Sequence, residues 1–351
     1  MRNDIIDNVV PRLKVKSHSD TGLLVSLPFL IVSNLIMQLS ILSRISQEDF
    51  NSSLNQYLAK SPSTHYKVYK IPKRSFGFRV IAQPTPQLKN IQRKIVGEIK
   101  GYMQVHSAAK AYVKDCSIKD NAIVHVNSNY LLKLDLENFF NSLTPAMLAR
   151  ALKYQGLSFV ESEVAVLNEL LFWNRTKKKS PNLVLSVGAP SSPFLSNVIM
   201  YEFDEAVSKF CSESGLSYSR YADDLTFSTS IKDILFEVPK FIESLLFQLF
   251  QGKLKLNYSK TTFSSKAHNR HVTGVTLTNN NKLSLGRERK RYIRAMLHKF
   301  SYGKLCDYDV QALKGLISFA LNIEPTFVDK MKGRYGVKLF DDLFKYNNGD
   351  N

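Results

Sequence analysis

Tyr130-Leu131-Leu132-Lys133-Leu134-Asp135-Leu136 decides the fold. Leucines at 132, 134 and 136 alternate with Lys133 and Asp135, the period-two pattern of a strand with one apolar and one open face. A carboxylate therefore stands on the open face of a half-buried strand. Further along the chain, Ser217 to Ser228 repeats the pattern: two short runs rich in Tyr, Thr and Phe flank Ala222-Asp223-Asp224, which predicts a hairpin with acids at its tip. Helical segments near Pro145 to Gln155, Glu161 to Trp173, Pro193 to Cys211 and Ile231 to Gln251 fill the gaps, giving strands covered on one face by helices, an α+β class.

Upstream of this pair, Tyr66 to Ala82 sets Val68, Tyr69, Val80 and Ile81 around Lys70, Lys73, Arg74, Gly77 and Arg79, a basic two-stranded hairpin, and helix follows from about Gln87 to Val105. Residues 1 to 60 read as helical, with Ser46 before Gln47, Glu48 and Asp49 supplying a helix start. Within them Leu23 to Leu42 is apolar and uncharged, but Pro28, Asn34 and Gln38 interrupt it, so a buried helix starting near Pro28 is expected and no membrane span. Downstream of Gly286, Ile293, Met296, Leu297 and Phe300 form one helical stripe and Arg287, Lys290, Arg291 and Arg294 a second. Few acids balance the second stripe, which favours phosphate contact over a merely solvated face. Asp341 and Asp342 fall in a helical stretch and carry no chemistry.

A chain of 351 residues has room for two or three packed subdomains, and 44% hydrophobic with 22% charged residues is the composition of a folded globule. Its 48 Lys+Arg against 30 Asp+Glu leave a net charge of +18, which favours a polyanionic partner, nucleic acid first. Cys116, Cys211 and Cys306 are odd in number and far apart, so neither a disulfide framework nor a CxxC metal pair is expected, and the compartment is a reducing, cytoplasmic one.

Asp135, Asp223 and Asp224 are three carboxylates on polar faces of what reads as one sheet. Like charges repel, and a fold keeps such a cluster cheaply only if cations neutralise it. Mg²⁺ fits that need, because it prefers carboxylate oxygens and keeps part of its water shell. Two such ions about 4 Å apart support phosphoryl transfer, one activating an attacking hydroxyl and the other steadying the leaving group, so the chemical reading is nucleotidyl transfer. An Asp-Asp pair alone is ordinarily solvated or caps a helix. Tyr221-Ala222-Asp223-Asp224 between two strands is a far more specific pattern.

From about Tyr66 to the C-terminus the chain resembles a reverse transcriptase, and most of all the bacterial retron group. Leu134-Asp135-Leu136-Glu137-Asn138-Phe139-Phe140 resembles the first catalytic motif of the polymerase palm. Gly188-Ala189-Pro190-Ser191-Ser192-Pro193 resembles the second, Tyr221-Ala222-Asp223-Asp224 the third and Leu256-Asn257-Tyr258-Ser259-Lys260-Thr261 a fourth. Asn121-Ala122-Ile123-Val124-His125 is similar to the retron NAxxH element, and Val272-Thr273-Gly274 to its VTG triplet. Val187 stands where many relatives carry a Gln.

The resemblance implies a right-hand polymerase: an N-terminal helical region over 1–60, fingers over 61–130, an antiparallel palm sheet covered by helices over 131–285 with a fingers-like helical insertion about 145–185, and a helical thumb over 286–351. It implies that Asp135 and Asp223 ligate two Mg²⁺ ions with help from the Leu136 backbone carbonyl, while Asp224 is the less direct third acid. Phe140 would crowd a ribose 2'-hydroxyl, Lys73 and Arg79 would grip the triphosphate, and Gly188 would let backbone approach the nucleotide in a turn stiffened by Pro190 and Pro193. Lys260 would protonate or neutralise the departing pyrophosphate. Asn121 and His125 would recognise a cognate structured RNA, and Arg287, Arg291 and Arg294 would bind RNA phosphates.

The activity so implied is RNA-directed DNA synthesis from deoxynucleoside triphosphates on a dedicated noncoding RNA. Priming from an RNA 2'-hydroxyl, a branched RNA–DNA product, and antiphage defence with an effector protein belong to the same implication. The alternatives are an intron-encoded or diversity-generating reverse transcriptase, and an RNA-binding scaffold with an inert site.

Overall fold

The computed structural model describes residues 37–45, 57–58, 60–72, 77–177 and 182–346. The expected helix start at Ser46, the stretch before Met37, and Lys73 and Arg74 lie outside these residues. Along the chain run strands β1 (Met37–Leu39), β2 (Tyr66–Pro72), β3 (Phe78–Pro84), β4 (Tyr130–Asp135), β5 (Leu157–Phe159), β6 (Trp173–Asn174) and β7 (Leu183–Val184). They continue with β8 (Ser217–Tyr221), β9 (Asp224–Thr229), β10 (Thr262–Ser265), β11 (Arg270–Val272), β12 (Val275–Leu277) and β13 (Leu283–Ser284).

The organising layer is an antiparallel sheet in the order β10-β4-β9-β8. Its register pairs Leu132 with Phe227, Lys133 with Thr226 and Asp135 with Asp224 across β4 and β9, and Tyr221 with Asp224 across β8 and β9. The alternation in β4 works as its pattern predicts: Leu132 and Leu134 join Leu225 and Phe227 in the main core. Phe203 and Val207 of the helix Tyr201–Glu213 and Leu195 and Val198 of the helix Ser192–Ile199 belong to the same core. On the opposite face Leu131 enters a second core with Ala122, Val272, Val275 and the C-terminal helices Arg287–Ser301, Asp307–Ile323, Pro325–Tyr335 and Val337–Lys345. The front of the sheet is thus covered at its Leu131 end and open at its Asp135 end.

Several expected boundaries move. Met37–Leu39 is a strand paired in parallel with Leu157–Phe159, so the helix expected through Leu42 is corrected there: a partner edge overrides local periodicity. The helix starting at Pro86 ends at Ile99, two residues before Gly101, short of the expected Val105. The segment Pro193 to Cys211 is two helices broken at Met200, and Trp173 leaves the helix Glu161–Leu171 to open β6. Among the described residues no helix is long and apolar enough to cross a membrane.

The hairpin that joins β8 to β9 is clamped from behind. Arg220 is completely buried; its Nη2 lies 2.6 Å from Asp204 Oδ2 and its Nε donates to Asp204 Oδ1 at 2.8 Å. The same carboxylate accepts from the Tyr218 hydroxyl at 2.8 Å. Arg220 Nη1 donates to Asn197 Oδ1 at 3.1 Å and to the Ala222 carbonyl at 3.2 Å, and Ala222 occupies the left-handed region at φ 58°. Burial works against the guanidinium's charge, but Asp204 outweighs it and the pKa ends above its ordinary value. Arg220 therefore spends its donors on an ion pair and on the strained turn between Tyr221 and Asp223.

The short helix Ile118–Ile123, opened by a Ser117/Asp120 capping box, covers the closed end of the sheet front. Asn121 and His125 are both 0% exposed. His125 Nε2 bonds Ser219 Oγ at 2.7 Å, its Nδ1 bonds Ser228 Oγ at 2.8 Å, and Ser219 Oγ donates to Asn121 Oδ1 at 2.7 Å. These two side chains, expected to recognise RNA, are enclosed in the protein: His125 spends both ring nitrogens on β8 and β9, and Asn121 bonds Ser219 and Thr273. Burial lowers the His125 pKa to about 3, so the imidazole is neutral.

Two outcomes follow for stability. Asp204→Asn strands a buried guanidinium and should cost about 3–5 kcal/mol in denaturant unfolding, whereas Asp204→Leu combined with Arg220→Met should cost less than Asp204→Asn alone; simple additivity of the single changes would show that the pair is not coupled. An unfolded histidine gains its proton near pH 6.5 while folded His125 does not until about 3, so its contribution is complete above 6.5 and declines as pH falls. At pH 5 the loss should be about 2 kcal/mol relative to a His125→Gln variant followed over the same range; parallel pH profiles for the two proteins would contradict a neutral buried ring.

Candidate active site

Asp135 ends β4 and Asp224 begins β9, and they are register partners, so their side chains leave the same face of the sheet. Cross-strand partners hold their Cβ atoms about 4.5–5.5 Å apart. Asp223 sits on the turn before Asp224, and its carbonyl accepts from the Leu136 amide at 3.0 Å, tying the turn to the end of β4. Asp135 is 6% exposed, Asp223 is half-buried and Asp224 keeps an exposed edge. The three acids thus stand at the same end of the sheet, Asp135 and Asp224 as direct strand partners and Asp223 one residue before Asp224.

Their crowding shows in their acidities. Desolvation, then the charges of Asp223 and Asp135, push Asp224 up to about 6, and desolvation with the Asp135 charge raises Asp223. Lys260, from the turn Tyr258–Lys260, places Nζ 2.7 Å from Asp135 Oδ2. Asn257 donates through Nδ2 to Asp135 Oδ1 at 3.2 Å and through its amide to the Asp135 carbonyl at 2.8 Å. Burial acts against the Lys260 charge, yet the bond to Asp135 and the charges of all three acids raise its pKa overall.

Hard oxygen donors with excess negative charge and a lysine as the countercharge fit divalent cations. Among the described residues no three His, Cys, Asp or Glu side chains are already gathered closely enough to enclose an ion. A cation here needs further oxygens from water or substrate.

Two recesses open on this side of the molecule, and two of the acids line the first of them. One, of about 420 Å³, runs from Asp135 and Asp224 past Lys133 and Thr226 to Thr273 and Gly274. The other, of about 300 Å³, is walled by Tyr112, Phe140, Val187 and Gly188, with Lys89 and Arg93 at its edge. Phe140 is half-buried, its ring centroid 6.2 Å from that of Tyr112 and 5.3 Å from that of Phe139, and it forms part of the recess wall.

Gly188 has φ +118°, and a Cβ there would meet the Ala82 carbonyl oxygen at 3.2 Å and Ile81 Cγ2 at 3.3 Å. The Val187 carbonyl accepts from the Ala82 amide at 3.0 Å. The close approach that requires glycine is therefore to β3, which carries Arg79 opposite Ile71. Arg79 is exposed, and its positive charge acts on both Asp223 and Tyr112.

The basic stripe of the helix Arg287–Ser301 divides. Lys290 pairs with Glu324 at 2.6 Å, and Arg294 lies over the Phe327 ring at 5.4 Å. Arg287 and Arg291 are exposed. Sequence reasoning passed over Tyr112, whose hydroxyl is raised by desolvation and then by Asp223, and the Asn257 amide on Asp135. Lys89 and Arg93, four apart on one helix face, carried a readable signal. Tyr112 carried none, because its placement depends on a left-handed backbone at φ 62°.

Acids stand at a hairpin tip within reach of the Arg79 charge on a second hairpin, and comparison with known proteins gives that combination its family. The family described as Reverse transcriptase (RNA-dependent DNA polymerase) matches residues 71–277. Retron Ec83 reverse transcriptase of Escherichia coli is 54% identical over 292 residues, 83% of this chain and 94% of the relative. Retron Ec86 reverse transcriptase of Escherichia coli is 29% identical over 314 residues, 87% of this chain and 92% of the relative. Among solved structures, telomerase from Candida albicans aligns at a TM-score of 0.45 and 12% identity over 88% of this chain and 66% of that one. The chain belongs to the reverse transcriptases, RNA-directed DNA polymerases of right-hand fold, and within them to the bacterial retron group.

Proposed function

We propose that this polymerase copies part of a dedicated, structured noncoding RNA into DNA, beginning from a 2'-hydroxyl within that RNA. The product is a branched RNA–DNA molecule that serves antiphage defence together with an effector protein. The observation that carries the catalytic part of this reading is the register of Asp135 against Asp224, with Lys260 held on Asp135. The residues from 61 to 130 act as fingers, those from 131 to 285 as palm with the insertion near 145–185, and those from 286 onward as thumb, behind an N-terminal region over 1–60.

Enzymes of this family use divalent cations, and Mg²⁺ is the one we assign, with Asp135, Asp223 and the Leu136 carbonyl as its protein ligands and Asp224 as the supporting acid. Bound there, the ions would lower the pKa of the attacking hydroxyl and offset charge on the pyrophosphate. The protein's own side chains do the rest. Lys73 and Arg79 hold the triphosphate of the incoming deoxynucleotide. Phe140 fills the space a ribose 2'-hydroxyl would need, and Gly188 keeps the Val187 turn seated against β3 beside it. Lys260 neutralises the leaving pyrophosphate, while Arg287 and Arg291, with Arg294 behind them, contact backbone phosphates of RNA.

The test of the whole reading is to purify the protein from its native locus, extract the bound nucleic acid, and digest it for a DNA strand joined to an internal RNA 2'-oxygen. Linear DNA alone, or none, would contradict the branched product. For the site, Asp223→Asn should lower Mg²⁺-dependent primer extension by more than about 10²-fold while RNA binding persists in a filter assay; near-normal extension would remove Asp223 from catalysis and favour neither metal ligation nor the stated role. Phe140→Ala should raise ribonucleotide relative to deoxynucleotide incorporation by about tenfold or more, and unchanged sugar selectivity would make Phe140 a packing residue.

A further inference from the structure

The chain's two short elements outside the catalytic motifs, Asn121 to His125 and Val272 to Gly274, are remote in sequence and touch in space. Asn121 Nδ2 donates to Thr273 Oγ1 at 3.4 Å, and Thr273 Oγ1 donates to the Ile118 carbonyl at 3.4 Å. Through its Oδ1, Asn121 also accepts from Ser219 on β8, and His125 bridges Ser219 to Ser228 on β9. Gly274 then passes the connection on, because its carbonyl accepts from Arg289 Nη1 at 3.0 Å, and Arg289 lies on the first C-terminal helix. One chain of hydrogen bonds links the acid-bearing hairpin, the Thr273–Gly274 turn and that helix.

The turn itself is strained. Thr273 has φ 46° and Gly274 φ 81°, and together they join β11 to β12. Two successive positive φ values in a two-residue hairpin favour Asn-Gly or Gly-Gly, and a β-branched residue in the first place is an outlier. Strain of this kind persists only where the surroundings over-determine it. The Thr273 hydroxyl supplies the reason, since it is the atom held by Asn121. Thr273 and Gly274 also line the recess that contains Asp135 and Asp224.

We propose that Asn121, His125 and Thr273 are positioning residues that act as one unit. They fix the Thr273–Gly274 turn, and through Arg289 the C-terminal helix, at a set distance from the acids, so that the nucleic-acid strand being extended lies correctly between them. This rests on the polymerase reading of the acids. The ligand so positioned is a sugar–phosphate strand, recognised by backbone placement and not by base contacts from Asn121 or His125.

The experiment exploits the conflict between turn propensity and the hydroxyl. Asn121→Ala opens a buried polar site, so the informative variants are Thr273→Asn and Thr273→Gly, which relax the turn but lose the hydroxyl, and Thr273→Ser, which keeps it. Primer extension on a simple primer–template, with the wild-type protein alongside, secures the polymerase reading on the same substrate. Thr273→Asn should melt at or above the wild-type temperature yet raise KM for primer–template about fivefold, with Thr273→Gly alike in KM. Both should leave KM for the deoxynucleotide and kcat at saturating primer–template within about twofold, and Thr273→Ser should match wild type. Wild-type kinetics in both relaxed variants would overturn the proposal, as would a fall in kcat with KM unchanged.

Discussion

Two carboxylates held opposite each other across an antiparallel strand pair repel, and that repulsion is the constraint around which this molecule is arranged. Asp135 and Asp224 face each other because β4 and β9 are locked in one register, and a slip of β4 by a single residue would send Asp135 into the core and the β4 leucines to the open face. The apolar alternation of β4 forbids that slip. Behind the sheet, Arg220 and Asp204 hold the turn that carries Asp223; in front, Lys260 supplies the countercharge. The raised pKa values of Asp223 and Asp224 reflect their burial first and the neighbouring carboxylates second.

The open face of the sheet is divided along its length. At one end stand the acids with Lys133 and Thr226; at the other, the helix Ile118–Ile123 and His125 seal the surface and join the second core through Ala122 and Leu131. The basic hairpin β2–β3 reaches the same acids from the side, seated on the Val187–Gly188 turn, so that the Arg79 charge is felt at Asp223. An open, acid-lined recess and a sealed surface therefore share one sheet face, separated by a few residues along each strand.

Much of this was legible in the sequence because it rests on short-range pattern. Period-two alternation marked β4, the acids between two strand-like runs marked the β8–β9 hairpin, and the helical stripe of Ile293, Met296 and Leu297 marked the face that packs. What was illegible depends on partners distant in the chain. Met37–Leu39 is a strand only because Leu157–Phe159 offers an edge, and Asp204 reads as an ordinary helix acid until Arg220 is buried against it. His125 looked like a recognition residue because nothing local shows that two serines on neighbouring strands take both ring nitrogens. Tyr112 and Thr273 depend on left-handed backbone that no side-chain pattern announces.

The central claim is that the acid cluster exists to hold divalent cations beside the end of a growing DNA strand. The most direct measurement is anomalous diffraction from crystals grown with primer–template, an unreactive deoxynucleotide analogue and Mn²⁺ in place of Mg²⁺. The account predicts anomalous peaks in contact with Asp135 and Asp223, with the Lys260 ammonium moved off Asp135. Bound nucleotide with no peak at these carboxylates, and Lys260 still seated on Asp135, would contradict it.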